Sequence, residues 1–237
     1  MTILYVFPHP DDESFGPAPM LARQRREGHD IHLLTLTRGE ATSQRHKYGY
    51  SKAEMGAIRY DEMQNVAEAL DLSSLTVLDF PDGGFAALDP RELEAAIVER
   101  IRAVAPDILV TYAVHGISGH PDHLVAHAVV KRVFCELRDE AGSSLRRLGL
   151  FTLPDVDDPD RPEHLNTSPV DAIDVVAAFD ADDLARAEEA LACYETYQDV
   201  VEEHEPLRSV REGVCLELFQ EAFDPPLGAL TDRLPEG

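Results

Sequence analysis

Apolar and polar positions alternate along this chain in two periods, and the switching between them predicts its architecture. Ile3 to Phe7 is an unbroken apolar run, the signature of a strand buried on both faces. Pro8 and Pro10 end it, because proline cannot donate to a ladder. Met20 to Glu27 has helical spacing, with Pro19 at its first turn and Gly28 at its end. Ile31 to Leu36, Leu75 to Phe80, Ile108 to Tyr112 and Leu148 to Leu153 read as further strands, and Val214 to Phe219 as the last. Between them Ala53 to Leu70, Pro90 to Val104 with Asp89 as its cap, Leu124 to Leu137 and Asp182 to Glu202 read as helices. Ala41 to Ser51 and the Pro- and Asp-rich Pro154 to Pro169 read as loops.

Such alternation implies an α/β, Rossmann-like fold: a mostly parallel sheet with helices on both faces. Right-handed crossovers give a strand order of about 3-2-1-4-5. Strands one and four are then neighbours, and the crevice at their carboxyl ends is the topological switch point. No repeat or low-complexity boundary divides the 237 residues, so a single domain over 1–237 is expected.

Composition narrows the partners. A formal net charge of −24 argues against nucleic acid or an anionic membrane surface, both of which need a basic face. No apolar run is long enough to span a bilayer, and the first residues lack a basic stretch followed by an apolar one. Cys135, Cys193 and Cys215 are scattered and odd in number, which suits reduced thiols and a cytoplasmic location. The sequence leaves the oligomeric state open, a homo-oligomer included.

The chemistry sits at the switch point. His9-Pro10-Asp11-Asp12-Glu13 follows strand one, and Gly119-His120-Pro121-Asp122-His123 follows strand four. So many carboxyls beside imidazoles are costly to bury without a compensating cation. His9, Asp12 and a histidine of the second motif make a two-His-one-carboxylate set, which with an open fourth position is the arrangement of a catalytic zinc site; Fe2+ suits the same donors. Zinc in such a site brings the pKa of water to about 7. Asp11 cannot easily point the same way as Asp12, so it is free to accept a proton. His120 precedes His123 by three positions, so one faces the substrate while the other faces the metal. A protonated His120 would stabilise an oxyanion, and Asp122 would pair with one of the imidazoles. His127, one turn beyond His123, reads as a half-buried helix residue, and Glu13 as a helix-start carboxylate or a partner of the ligands.

These two motifs resemble those of the LmbE-like (PIG-L) family of metal-dependent N-acetylglucosaminyl deacetylases. Thr37-Arg38-Gly39-Glu40, Arg59 with Glu62, and Phe80-Pro81-Asp82 match that family's pattern as well. The resemblance covers residues 1 to 135 well and the remainder loosely. It implies that His9, Asp12 and His123 bind zinc, that Asp11 is the general base and that His120 assists the oxyanion. It also implies an acetylated amino-sugar substrate. Ser118 departs from a tyrosine found in some relatives, and Tyr194 and Tyr197-Gln198 from a C-terminal His and Ser-Gln pair.

Asp82, Arg38 and Glu40 are candidates for contacts to the sugar, Arg38 alternatively pairing with Glu40 or Asp61. Arg38, Arg45, Lys47, Lys52 and Arg59 face only Glu40 and Glu54 in their stretch. This basic island reads as an anion site for the aglycone through Arg45, Lys47 or Arg59, or else as a locally balanced loop. With an anionic aglycone, N-acetylglucosaminyl malate is the substrate expected within the family. A mycothiol-type conjugate, another N-acylated amine, or a sugar-binding module without turnover are the alternatives.

Overall fold

Strand β1 (Thr2–Phe7) lies at the centre of the sheet, and its side chains divide between two cores. Ile3, Tyr5 and Phe7 point to one face and Leu4 and Val6 to the other, all fully buried. That is why the run is apolar without alternation. The computed structural model describes residues 1–159 and 161–234.

In chain order there follow α1 (Ala18–Arg26), β2 (Asp30–Thr37), α2 (Gln44–Tyr48), α3 (Lys52–Ala69), β3 (Ser74–Phe80) and α4 (Pro90–Val104). Next come β4 (Ile108–Tyr112), a short turn of helix α5 (Gly116–Gly119), α6 (Pro121–Leu137), β5 (Arg147–Thr152) and β6 (Val175–Ala177). The chain ends with α7 (Ala181–Ala192), α8 (Gln198–His204) and β7 (Val214–Leu218). All seven strands join one sheet of order β3-β2-β1-β4-β5-β7-β6. The first five are parallel and in the expected order, with β1 between β2 and β4. β7 runs antiparallel to β5, and β6 antiparallel to β7. Helices α1, α3 and α7 pack together on one face, α4 and α6 on the other.

Three elements differ from expectation. β6 is only three residues long, too short for a period to register; Asp174 fixes it by accepting the backbone N–H groups of Leu218 at 2.8 Å and Phe223 at 3.0 Å. α2 lies in what reads as a loop, because none of its residues is buried and so no apolar stripe marks it. The long helix expected over Asp182 to Glu202 is broken after Ala192. The Gln198 amide donates to the carbonyls of Leu191 at 2.9 Å and Tyr194 at 3.0 Å, closing the end of α7. The break turns the buried Tyr194 toward the first loop.

Candidate active site

The two motifs meet where the topology requires, at the carboxyl ends of β1 and β4. The first loop turns tightly after Pro10, with the N–H groups of Ser14 and Phe15 both donating to the Asp11 carbonyl at 2.8 Å. Asp11 itself has φ of +87°, a conformation a non-glycine residue holds only when its surroundings impose it. The second loop runs from β4 through α5 into α6. His120 caps α6, its Nδ1 accepting the Asp122 N–H at 3.2 Å, with Pro121 at the first helical position. Gly116 lets the two segments close: at φ of +62°, a Cβ there would lie 2.7 Å from that of His123.

The imidazoles are oriented by their outer nitrogens. His9 Nε2 lies 3.2 Å from both Asp82 Oδ1 and Asp122 Oδ2, which turns Nδ1 toward Asp12 Oδ2 at 3.6 Å. Asp122 is held in turn by the N–H groups of Gly83 at 2.8 Å and Phe85 at 3.1 Å. His123 Nδ1 donates to the Gly116 carbonyl at 2.9 Å, and its Nε2 lies 3.3 Å from Asp12 Oδ1. Tyr112 stacks on the His123 ring at 4.3 Å, and its hydroxyl donates to Asp12 Oδ1 at 2.7 Å. The outer nitrogen of each ring is thus held by the protein, and the inner one is the nitrogen a metal would take.

This donor set fits a divalent cation. Against burial, which would raise it, His123 and His9 hold the Asp12 carboxyl well below the usual range. Burial would lower His9, yet Asp12, Asp122 and Asp82 push it well above an ordinary imidazole. Both directions state that the cluster favours positive charge at its centre. His9, His120 and His123 offer ligand atoms within 4.8 Å of one another, as do His9, Asp82 and Asp122. With Asp12 bridging the inner nitrogens of His9 and His123, two imidazoles and a carboxylate suit zinc or ferrous iron. His127 is turned away, its Nδ1 donating to the Tyr112 carbonyl at 2.9 Å.

Asp11 points elsewhere. Its Oδ2 accepts from Arg59 Nη2 at 2.7 Å, and the same Nη2 donates to the Pro10 carbonyl at 3.0 Å. Burial pushes Asp11 up to about 6, with Arg59 pulling down and Asp12 pushing up. A carboxylate poised there is suited to general-base work near neutrality. The His120 ring lies 4.7 Å from that of His9. Burial, together with His9 and His123, lowers its pKa, so the protonated form expected from the sequence is disfavoured. Since Nδ1 accepts from the backbone, the neutral ring carries its proton on Nε2.

A cavity of about 460 Å³ opens over the cluster, lined by His9, Asp11, Asp12, Arg59, Asp82, His120 and His123 among others. Arg38, Glu40, Arg45 and Lys47 do not line it. Arg38 sits 5.1 Å from the Tyr60 ring centroid. The Glu40 carboxylate accepts the Asp82 N–H at 3.0 Å, and Asp82 accepts that of Ala41 at 2.7 Å, so Glu40 clamps two loops together. Lys47 pairs with Asp199 on the surface. Arg59 does reach the cavity, but its charge is taken by Asp11 and its plane by Tyr197 at 4.5 Å. Two of the island's cations, Lys47 and Arg59, are thus paired with carboxylates from elsewhere in the chain.

Tyr194, which the sequence shows only as a departure from the family pattern, lies under the first loop. Its hydroxyl accepts the Asp11 N–H at 2.8 Å and donates to Glu13 Oε1 at 2.6 Å. Glu13 is fully buried, also accepts from Ser14 Oγ at 2.6 Å, and is pushed up to about 7 by burial. Glu62 ties the same region down, accepting from the Thr196 N–H at 2.7 Å and hydroxyl at 2.9 Å. Tyr194→Phe strands the Asp11 N–H and leaves Glu13 one donor short. The expected result is a loss of about 1–3 kcal/mol in denaturant unfolding, with bound metal retained. Unchanged stability would remove Tyr194 as the support of this loop.

Residues 4–134 match the family model PIG-L: GlcNAc-PI de-N-acetylase. The chain belongs to that family. A Kineococcus radiotolerans protein named 1D-myo-inositol 2-acetamido-2-deoxy-alpha-D-glucopyranoside deacetylase is 34% identical over 160 residues, 55% of this chain and 44% of that protein. The chain spans about half the length of the curated relatives it matches. Among solved structures, a deacetylase of the teicoplanin biosynthesis pathway superposes with a TM-score of 0.70 at 16% identity, over 92% of this chain and 96% of that one. GalB, the 4-carboxy-2-hydroxymuconate hydratase of Pseudomonas putida KT2440, does so with 0.64 at 17% identity, over 94% and 98%. At such identities these likenesses are of fold, and this fold carries more than one reaction.

Proposed function

We propose that this PIG-L family chain is a zinc-dependent hydrolase that removes the acetyl group from an N-acetylglucosaminyl conjugate. The observation that carries the reading is the convergence of Asp12 with the inner nitrogens of His9 and His123, with Asp11 alongside but facing Arg59. When bound, zinc would polarise the amide carbonyl and acidify water. Asp11 takes the proton from the attacking water and returns it to the departing amine. Arg59 and the Tyr194 hydroxyl hold Asp11 in its strained conformation, so little reorganisation is needed at reaction. His120 Nε2–H is the donor for the oxyanion. A single domain over 1–237 is supported by one sheet that draws strands from Thr2 to Leu218.

The aglycone reading shifts from malate. Its motivation was the basic island, and of those cations only Arg59 lines the cavity, already paired. The relative is named for a conjugate of inositol, an uncharged group, which supports an uncharged aglycone here. Among the described residues no helix is long and apolar enough to cross a membrane, and the three cysteines are free; a cytoplasmic enzyme is consistent with both.

The test is acetate release from N-acetylglucosamine and its inositol and malate conjugates, with metal stripped and then with zinc or Fe2+ restored. Metal-dependent release, greatest from an uncharged conjugate, is expected. No release from any of them under either metal sinks the deacetylase reading.

A further inference from the structure

His9 and His123 are held from behind in unlike ways. His9 Nε2 meets two carboxylates directly, Asp82 and Asp122. His123 Nδ1 meets neutral groups: it donates to the Gly116 carbonyl at 2.9 Å, and Ser118 Oγ lies farther off at 3.4 Å. The other end of that same peptide unit is also engaged. The Ile117 N–H donates to His115 Nδ1 at 3.0 Å. This leaves the proton of the neutral His115 ring on Nε2, which lies 3.1 Å from both Thr152 Oγ1 and Ser168 Oγ. The two hydroxyls are 2.7 Å apart, and that of Ser168 donates to Glu217 Oε1.

An unbroken line of hydrogen bonds therefore leads from the His123 ring to a carboxylate on β7. Its direction is fixed, because a backbone N–H can only donate and a carboxylate can only accept. Thr152 and Ser168 are buried, His115 and Glu217 half-buried. In such surroundings each bond is strengthened and polarises the next. The turn that carries the shared peptide is also strained. Ile117 has φ of +54° and ψ of −70°, a region that a β-branched residue enters only under constraint. Its N–H is held by His115, and its carbonyl accepts the Asn166 N–H at 2.7 Å and Nδ2 at 2.9 Å. Strain of this kind persists where neighbours over-determine it, and it gathers at functional sites.

We propose that His115 is a positioning residue for His123. With Ser168 and Glu217 it forms a relay that holds the Gly116–Ile117 peptide and fixes which His123 nitrogen faces the cluster. The inference rests on the reading of His123 as a metal ligand. The relay supplies at a distance what Asp82 and Asp122 supply to His9 directly, a negative charge behind the ring that makes it a better ligand.

Nitrogen-15 spectra of the histidine rings in the full chain, without and with zinc, read the relay directly. His115 is expected as the neutral Nε2–H tautomer, and His123 with its proton on Nδ1. Glu217→Gln keeps an oxygen for the Ser168 hydroxyl but removes the charge, and it should shift the ring signals of both His115 and His123. His29 and His32, at the amino end of β2, should not move, which separates the relay from a general loosening of the fold. His115→Phe keeps the bulk of a ring without its hydrogen bonds. In competition against a chelator it should bind zinc about 10–100-fold more weakly, with a smaller loss in Glu217→Gln. His115 protonated on Nδ1, His123 signals unmoved in Glu217→Gln, or wild-type affinity in His115→Phe each overturn the proposal. The first two readings decide it if His115→Phe fails to fold. A wild-type chain that takes up no metal, while its His123 signals still follow Glu217, keeps the relay and sinks the zinc hydrolase reading.

Discussion

Asp11→Asn should lower kcat by about 10²–10⁴-fold while metal content stays at its wild-type level, the loss typical of removing a general base. The two readouts part because of where the side chain points. Asp11 bonds Arg59 through Oδ2 and lies outside the Asp12-bridged imidazole pair, so amidation leaves the ligand atoms untouched. An amide cannot accept the water's proton, yet its oxygen still meets Arg59, and the loop keeps its shape. The pH profile gives the sign independently. Asp11 must be a carboxylate to serve as base, and it is pushed up to about 6 by burial. Wild-type kcat/KM is therefore full above that value and falls as pH drops through it, whereas the residual activity of Asp11→Asn loses this acid limb. Steady-state kinetics from pH 5 to 8 check both; near-normal kcat in the variant would remove Asp11 from the mechanism.

The order of the five parallel strands was legible because β1 declares itself, an apolar run closed by Pro8 and Pro10, and because helices of ordinary length follow at the crossovers. Once β1 and β4 are neighbours, their loops must meet, and the cluster of His9, Asp12, His120 and His123 follows. Asp82 and Asp122 were legible as polar residues after strands three and four. Their shared grip on His9 Nε2 needed coordinates, because nothing in the spacing says which imidazole nitrogen faces inward.

Tyr194 was hidden for a different reason. Its partners Asp11 and Glu13 lie 183 and 181 positions away, so no local pattern can link them. A break in an otherwise helical stretch, with an aromatic hydroxyl at the break, is the only signal the sequence offers. The basic island shows the opposite problem. Counting charges along the chain ignored pairing across it, and Lys47 finds Asp199 on α8 while Arg59 finds Asp11. In a chain of −24 a surface cation is surrounded by candidate carboxylates, so part of a linear positive excess is paired from across the fold.

Asp12→Ala should abolish stoichiometric binding of zinc or Fe2+, and activity with it. Among the described residues Asp12 is the carboxylate that reaches both inner imidazole nitrogens, at 3.6 Å from His9 Nδ1 and 3.3 Å from His123 Nε2. Without it the two imidazoles are left as a pair with no charge to neutralise a divalent ion. His9→Ala and His123→Ala should do the same, each removing one of three donors. His127→Ala is the contrast, since its ring faces the Tyr112 carbonyl and should leave metal binding intact. Asp122→Asn lies between these extremes. It keeps the side chain's shape, but its single amide oxygen can accept only one of the Gly83 and Phe85 N–H groups, and it withdraws negative charge from behind His9, so about 10–100-fold weaker metal affinity is expected. Elemental analysis and competition against a chelator read the whole series. Full metal in Asp12→Ala, or none in His127→Ala, would place the ion on a different set of ligands.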